Sequence, residues 1–334
     1  MSPARLASLA YELAATPVRD EDLASELAVA PSRVASLSRG RVRHFAADGI
    51  GPSDLAASAA RTALASAGLE SAAVGFVIFS TNTPDYTFPG SACLLQAALG
   101  CGEVGCLDVR AACSGFVVAL DLAARYVSSG TYDHVLVAAG EVPSHQNRFD
   151  GVDPELACLT GDAAAAALIT TGDGPLAILA ARVRMDGRRH PLLWCEFPAS
   201  RHLTSTGARR GGRLTRAAIE AGKIYPIVDY AGLRTAALQE LPGLLEETLA
   251  EARLDHVDAI IVTHVDPQTE MEVGKALSPR AGRVVASDTV YAYSASLPMA
   301  LARALERGVV GSGETVALAT AGAGASWAIA ILRV

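Results

Sequence analysis

Aromatic side chains are scarce, at 5% of 334 residues, although 51% of the chain is hydrophobic. The core must be built from small and aliphatic residues, which suits close-packed helices and strands and carries no chemistry by itself. The six cysteines, at positions 93, 101, 106, 113, 158 and 195, form no C-x-x-C pair and no zinc-like spacing. They read as reduced thiols in a cytoplasmic protein, with no metal site expected. There is no excess of basic residues. The net charge of −7 argues against nucleic acid as a main partner. The start, Met1-Ser2-Pro3-Ala4-Arg5, lacks an apolar h-region, so no signal peptide is expected. No apolar run is long and charge-free enough to span a bilayer, so no membrane partner is expected either. What remains is a chain long enough for a large core, and for two core units more readily than one.

Along the chain, apolar strand-like runs alternate with helical patterns. Pro52-Ser53-Asp54 opens a capped helix carrying Leu55, Ala59, Ala60, Ala63 and Leu64 at helical spacing. Buried strands are expected at 74–79, 104–109, 135–141 and 163–169, with helices at 91–99 and from 116 onward. A break at Thr170-Thr171-Gly172-Asp173-Gly174-Pro175 separates units 1–172 and 173–334. The second unit repeats the alternation: a helix over 230–249, strand 257–263, helix 270–277, strand 284–287, helix 294–305, and strands 315–320 and 328–334. This pattern predicts an α/β fold, largely parallel, with two pseudo-duplicated halves. Residues 1–50 read as mixed, and 176–215 resist assignment. Arg39, Arg41, Arg43 and His44, around Gly40, read as a solvated loop rather than an anion site.

One junction stands out. The run Val104–Val109 enters the small-residue turn Arg110-Ala111-Ala112-Cys113-Ser114-Gly115, and Phe116, Leu120, Ala123, Ala124 and Val127 then fall on one helical face. A cysteine at a strand-to-helix junction faces unpaired N–H groups and the positive end of the helix dipole, and both favour the thiolate. On this pattern alone Cys113 is either a nucleophile or a buried structural cysteine.

Four stretches in order carry more information: Thr83-Pro84-Asp85-Tyr86-Thr87-Phe88-Pro89, Asp108 to Phe116, Leu159-Thr160-Gly161-Asp162, and Gly322-Ala323-Gly324-Ala325-Ser326-Trp327. Together they resemble the β-ketoacyl-acyl-carrier-protein synthase III family of the thiolase fold. The resemblance runs nearly end to end and is densest over 50–170 and 255–334. It implies a five-layer αβαβα fold with mixed central sheets, a homodimer, and Cys113 as the acyl-accepting nucleophile. It also implies an oxyanion hole from the backbone N–H groups of Cys113 and Gly324, where two fixed donors stabilise a tetrahedral oxyanion. His264 falls where the family has its catalytic histidine, as a base or as a donor to a thioester carbonyl. Phe88 matches the position whose side chain crosses the dimer to limit the partner's acyl pocket. Ser294 joins it as a substrate-contact candidate.

The chain also departs from the family pattern. The family's Gln-Ala-Asn after the histidine is Val265-Asp266-Pro267 here. Counting back from Ser296-Leu297-Pro298 places Tyr291 where the catalytic asparagine stands. The two-donor site for the enolate of a decarboxylating malonyl thioester is therefore changed. Asp266 or Asp288 is the candidate acid for a Cys-His-acid arrangement. Val34, Ser38 and Pro154 replace the tryptophan and two arginines with which coenzyme-A-using members grip the nucleotide. The expected donor is therefore an acyl group on the phosphopantetheine arm of an acyl carrier protein, with no other cofactor. The loop containing Arg209, Arg210, Arg213 and Arg216 is a candidate docking patch for that acidic partner.

The resulting expectation is an acyltransferase of polyketide, antibiotic or other natural-product biosynthesis. It would load Cys113 and pass the acyl group to a hydroxyl, an amine or the thiol of a second carrier protein. The alternatives are a decarboxylative synthase forming a carbon–carbon bond, and a non-catalytic partner subunit of a heterodimer. A coenzyme-A thiolase is disfavoured because Gly322-Ala323-Gly324 carries no second cysteine.

Overall fold

The computed structural model describes residues 4–172, 174–196 and 215–334. In the first half the elements are β1 (Arg5–Leu13), β2 (Thr16–Val18), α1 (Asp20–Glu26), α2 (Pro31–Ser38), β3 (Arg43–Phe45), α3 (Pro52–Ser66), β4 (Phe76–Ser80), α4 (Ser91–Leu99), β5 (Gly105–Val109), α5 (Gly115–Ser128), β6 (His134–Glu141), α6 (Glu155–Leu159) and β7 (Ala163–Thr170). In the second they are β8 (Leu176–Met185), β9 (Leu193–Trp194), α7 (Arg216–Glu220), β10 (Ile227–Val228), α8 (Tyr230–Ala252), β11 (Val257–Thr263), α9 (Pro267–Leu277), β12 (Ala281–Val285), α10 (Ser296–Glu306), β13 (Thr315–Gly322) and β14 (Ser326–Arg333).

Ten strands run in the order β12-β11-β13-β14-β8-β1-β7-β6-β4-β5. Read from the two outer edges inward, the halves match: β4, β5 and β6 are parallel, as are β11, β12 and β13. Each set then meets an antiparallel strand, β7 or β14. The halves join where β1 and β8 share only two residue pairs, Arg5–Ala177 and Leu6–Leu176. The register makes Ser80 opposite Ala139 the counterpart of Thr263 opposite Thr320. Two residues on, Glu141 ends β6 as Gly322 ends β13.

Strand alternation sorts the side chains into layers. Val135, Val137 and Ala139 of β6 face a central core that also holds Phe116 and Leu120 of α5 and Leu297 and Leu301 of α10. Leu136 and Ala138 face the opposite way, toward Ala59, Ala60 and Ala63 of α3 and Leu95 of α4. In the second half Ala317 and Ala319 of β13 pack on Leu241 and Leu245 of α8 and Val273 of α9. The result is five layers: α3 with α4, a sheet, α5 with α10, a sheet, and α8 with α9. Alanines on α3 let that helix lie close to the sheet.

Two expectations change. Residues 5–13, within the stretch read as mixed, form a central strand in which Leu6 packs into the central core and, past a register shift before Ser8, Ala10 packs on the α3 side. The basic cluster is not a solvated loop. Arg43 is fully buried, with Nη1 2.9 Å from the Asp20 carboxylate, and Arg41 pairs with Glu270 of the second half at 2.8 Å. His44 Nδ1 lies 2.7 Å from the Ala14 carbonyl oxygen. Buried guanidinium groups need such anions, because an unpaired buried charge is very costly.

Candidate active site

Strand β5 ends at Val109, and a single 3-10 turn, Ala112–Ser114, carries Cys113 into α5. Ala112 holds a left-handed φ of 50°, an uncommon state for a residue with a Cβ and one that clusters at functional turns. Gly115 starts α5 pressed against β4, where a Cβ would lie 1.9 Å from Ser80 Oγ. Ser114 Oγ donates to Ser326 Oγ at 3.0 Å, fastening the turn to β14.

Above the sulfur lies the β13–β14 turn. A Cβ on Gly322 would stand 2.3 Å from Cys113 Sγ, so only glycine fits. The Ala323 backbone N–H is directed at the thiol. Gly324 follows with a φ of 127°, open to glycine alone. The paired backbone groups of Asp186 and Ala325, at 2.9 and 3.1 Å, brace the turn. The donor aimed at the resting sulfur is thus the amide next to the expected Gly324.

Cys113 is 3% exposed. Burial pushes its pKa up to about 11; Tyr291 and the Ala323 and Cys113 amides oppose this, and Glu141 reinforces it. The expected thiolate-favouring junction is therefore outweighed by desolvation, and the resting group is a thiol. Leu156, Leu159, Leu233, Val265, Tyr291 and Tyr293 share its buried apolar cluster.

His264 follows β11 and is buried. Its Nδ1 accepts the Asp266 backbone N–H at 3.0 Å. Burial pushes its pKa down to about 4, so the ring is neutral at pH 7. A neutral ring that accepts at Nδ1 carries its proton on Nε2. That Nε2 has no hydrogen-bond partner among the described residues. His264 is set as a donor, not as a base.

Neither candidate acid orients the imidazole. Asp266 caps α9, accepting from Gln268 N at 3.0 Å, Thr269 N at 3.2 Å and Thr269 Oγ1 at 2.6 Å, and pairs with Arg234 at 3.0 Å. Burial works against its charge, but these partners hold the carboxyl below the usual range. Its hydrogen bond to His264 is through the backbone N–H, and its carboxylate acts on the ring only through its charge. Asp288 is bound to Arg303 at 2.8 Å and Arg307 at 2.5 Å on the flank of α10. The expected Cys-His-acid arrangement is corrected accordingly: arginines and a helix N-terminus hold these carboxylates.

Tyr291 is held by the Leu159–Gly161 stretch. Its N–H donates to the Leu159 carbonyl and its carbonyl accepts from Gly161 N–H, both at 3.0 Å. Its buried phenol lies close enough to the Cys113 thiol and the Thr320 hydroxyl to interact with both, without an aligned hydrogen bond to either. Tyr293 meets it edge-on at 5.9 Å. Burial raises both phenol pKa values well above normal, so both hydroxyls keep their protons.

Ser294, expected as a substrate contact, is buried, and its hydroxyl donates to Glu141 Oε1 at 2.5 Å. Glu141, unnoticed in the sequence inside a run that reads simply as a buried strand, is fully buried beside the site. Phe88 is 84% exposed and Tyr86 62%, both on the 81–90 loop. Val34, Ser38 and Pro154 are buried packing residues that offer no surface to a nucleotide. Of the basic patch, Arg209, Arg210 and Arg213 lie outside the described residues, and Arg216 is exposed and paired with Glu220. Among the described residues no group of three or more His, Cys, Asp or Glu could hold a metal ion, and no helix is long and apolar enough to cross a membrane.

Comparison with known proteins gives a consistent result. The family model for 3-oxoacyl-[acyl-carrier-protein] synthase III matches residues 107–187, and the model for its C-terminal part matches 248–334. A β-ketoacyl-[acyl-carrier-protein] synthase III of Methylococcus capsulatus is 30% identical over 98% of both chains. One from Xanthomonas oryzae is 32% identical, again over 98% of each. Among solved structures, the 3-oxoacyl-[acyl-carrier-protein] synthase III of Aquifex aeolicus superposes with a TM-score of 0.82 at 25% identity, covering 99% of this chain and 100% of its own. A tetronic acid condensing enzyme shares the fold with a TM-score of 0.82 at 22% identity, over 99% of this chain and 100% of its own.

Proposed function

Because the chain belongs to the β-ketoacyl-[acyl-carrier-protein] synthase III family, we propose that it is an acyltransferase that forms a thioester at Cys113. The donor is an acyl group on the phosphopantetheine arm of a carrier protein. The Cys113 sulfur attacks the thioester carbonyl, the tetrahedral oxyanion collapses, and the pantetheine sulfur leaves with the proton that Cys113 gives up. Backbone donors of the Gly322–Gly324 turn and of Cys113 stabilise the oxyanion. The observation that carries this reading is the Cys113 sulfur fitted under Gly322, with an amide N–H aimed at it.

The acceptor is narrowed by His264. A hydroxyl acceptor needs a base, and His264 with Nδ1 engaged has no free lone pair to supply one. A carrier-protein thiol, far more acidic than an alcohol, or an amine attacks the acyl carbonyl without a strong base, the Cys113 S–C bond breaks, and the departing Cys113 sulfur takes the proton the acceptor sheds; these acceptors fit best. The loss of nucleotide-gripping residues supports a carrier-protein donor, hence a cytoplasmic enzyme, and a place in natural-product assembly. The open edge of β5 together with exposed Tyr86 and Phe88 supports a homodimer across that edge.

Intact-mass measurement after incubation with acyl-carrier protein is expected to show one acyl adduct that Cys113→Ala loses. An adduct that persists in the variant overturns the scheme. A second reading is favoured by one observation: His264 Nε2–H and the Tyr291 hydroxyl are two buried donors without partners, as an enolate would require. Release of carbon dioxide from a malonyl-carrier protein, dependent on Cys113, would select condensation over simple transfer.

A further inference from the structure

The duplicated fold builds the surroundings of Cys113 twice. In the first half the 3-10 turn Ala112–Ser114 places Cys113 in its middle, and in the second the turn Tyr293–Ala295 places Ser294 there. Each turn opens with a left-handed residue, Ala112 at 50° and Tyr293 at 38°, and each leads into a helix of the central layer, α5 or α10. The strand ends that face them also correspond. Gly322, closing β13, meets Cys113, and Glu141, closing β6, meets Ser294.

Glu141 gathers seven donors, of which the Thr81 hydroxyl is the farthest at 3.5 Å. The backbone N–H groups of Asn82, Thr83 and Ser294 reach it at 3.0, 3.2 and 3.3 Å, and the Asn82 side-chain amide at 2.9 Å. The hydroxyls of Thr83 and Ser294 donate at 2.8 and 2.5 Å. N–H groups cannot accept, so a protonated Glu141 would set a donor against donors. Burial raises its affinity for a proton, and the converging hydrogen bonds oppose this. Three chain segments thus meet on one buried carboxyl group: the end of β6, the start of the loop bearing Tyr86 and Phe88, and the turn just after Tyr291.

We infer that Glu141 is a positioning residue for the reaction at Cys113: it locks the turn that carries Tyr291 and Tyr293 over the sulfur, and its acidic group bears electrostatically on that sulfur. The inference rests on Cys113 being the residue acylated. The charge is felt at both places, since it holds the Cys113 thiol and the Tyr293 phenol toward their protonated forms. The two equivalent positions have diverged into a nucleophile under a glycine and a lock under a carboxylate.

Glu141→Gln and Ser294→Ala separate the two roles. In Glu141→Gln the charge is gone, the thiolate is favoured, and iodoacetamide labelling of Cys113 at pH 8, followed by site-resolved mass spectrometry, should speed up about tenfold, as for a pKa shift of about one unit. Acyl loading from the carrier protein should slow about tenfold as the turn loosens. Ser294→Ala keeps the charge, so labelling should stay within about twofold of wild type while loading slows severalfold. Wild-type labelling of Cys113 in folded Glu141→Gln overturns the electrostatic role, and wild-type loading in Ser294→Ala overturns the lock. If Glu141→Gln does not fold, the loading rate of Ser294→Ala decides alone. If wild-type Cys113 never loads, the acyl-transfer reading fails, and the labelling comparison still judges Glu141.

Discussion

The turns at Cys113 and Ser294 share a backbone and differ in what covers them. The residue before each left-handed position has nearly the same conformation, φ −119° and ψ 32° at Ala111 against φ −123° and ψ 54° at Ala292. Each turn closes in the α region, at Gly115 with φ −60° and ψ −37° and at Ser296 with φ −60° and ψ −45°. Local backbone geometry therefore does not distinguish Cys113 from Ser294. The facing strand end does: a glycine leaves room for the sulfur, whereas a glutamate binds the hydroxyl at the equivalent place. Duplication supplied two equivalent turns, and their neighbours divided the labour.

The comparison breaks most sharply at Gly322. A methyl there would stand 2.3 Å from Cys113 Sγ and 2.7 Å from its Cβ, well inside contact distance. Gly322→Ala must displace the sulfur or the turn above it. Acyl loading should fall at least about a hundredfold, and stability by about 1–3 kcal/mol, as for other overpacked cores. Loading measured by intact mass and unfolding measured by denaturant test both. Loading at the wild-type rate would mean that the glycine is not what distinguishes the two turns.

A smaller, pH-dependent difference separates the strand ends that follow Ser80 and Thr263. The first leads to Thr81, which does not titrate near neutrality, and the second to His264, whose pKa burial pushes down from 6.5 to about 4. The unfolded chain then binds a proton that the folded chain refuses between these values. Stability from this group is whole above pH 6.5 and is lost as pH falls toward 4, by on the order of 3 kcal/mol. Denaturant unfolding from pH 7 to pH 4 should show wild type losing more stability than His264→Gln. Equal losses would place the imidazole in a more solvated setting than the buried end of β11.

The sequence was most legible where strands are buried on both faces. β4, β6, β7, β11 and β13 read as continuous apolar runs because they carry helices on both sides. The middle strands β1 and β8 were hidden. β1 interrupts its apolar side with Arg5, Ser8 and Glu12, and β8 carries Arg182 and Arg184, so neither shows an unbroken run. Cys113, His264 and Tyr291 were marked by motif and by departure from motif. The role of Glu141 could not be read, because its partner Ser294 is 153 residues away and no spacing rule joins them. Asp266 and Asp288 were misplaced for the same reason: Arg234, Arg303 and Arg307, which hold them, are neighbours only in the folded chain.

The mildest test lies in the left-handed residues themselves. Ala112 and Tyr293 both hold positive φ, but Tyr293 is anchored by its buried ring and by the adjacent Ser294–Glu141 bonds, whereas Ala112 has only a methyl to hold it. In Ala112→Gly the left-handed state costs nothing, relieving about 1–2 kcal/mol of steric strain. The added freedom of glycine in the unfolded chain offsets about 0.5–1 kcal/mol of that gain. A net stabilisation of about 0.5 kcal/mol is expected, seen as a rise of about 0.7 °C in thermal midpoint for a chain of this size. Acyl loading should fall a few-fold, because the turn that aims Cys113 loses its only local restraint on φ. A lower midpoint would show that the Ala112 methyl is held by packing worth more than its strain, and the two turns would then be anchored alike.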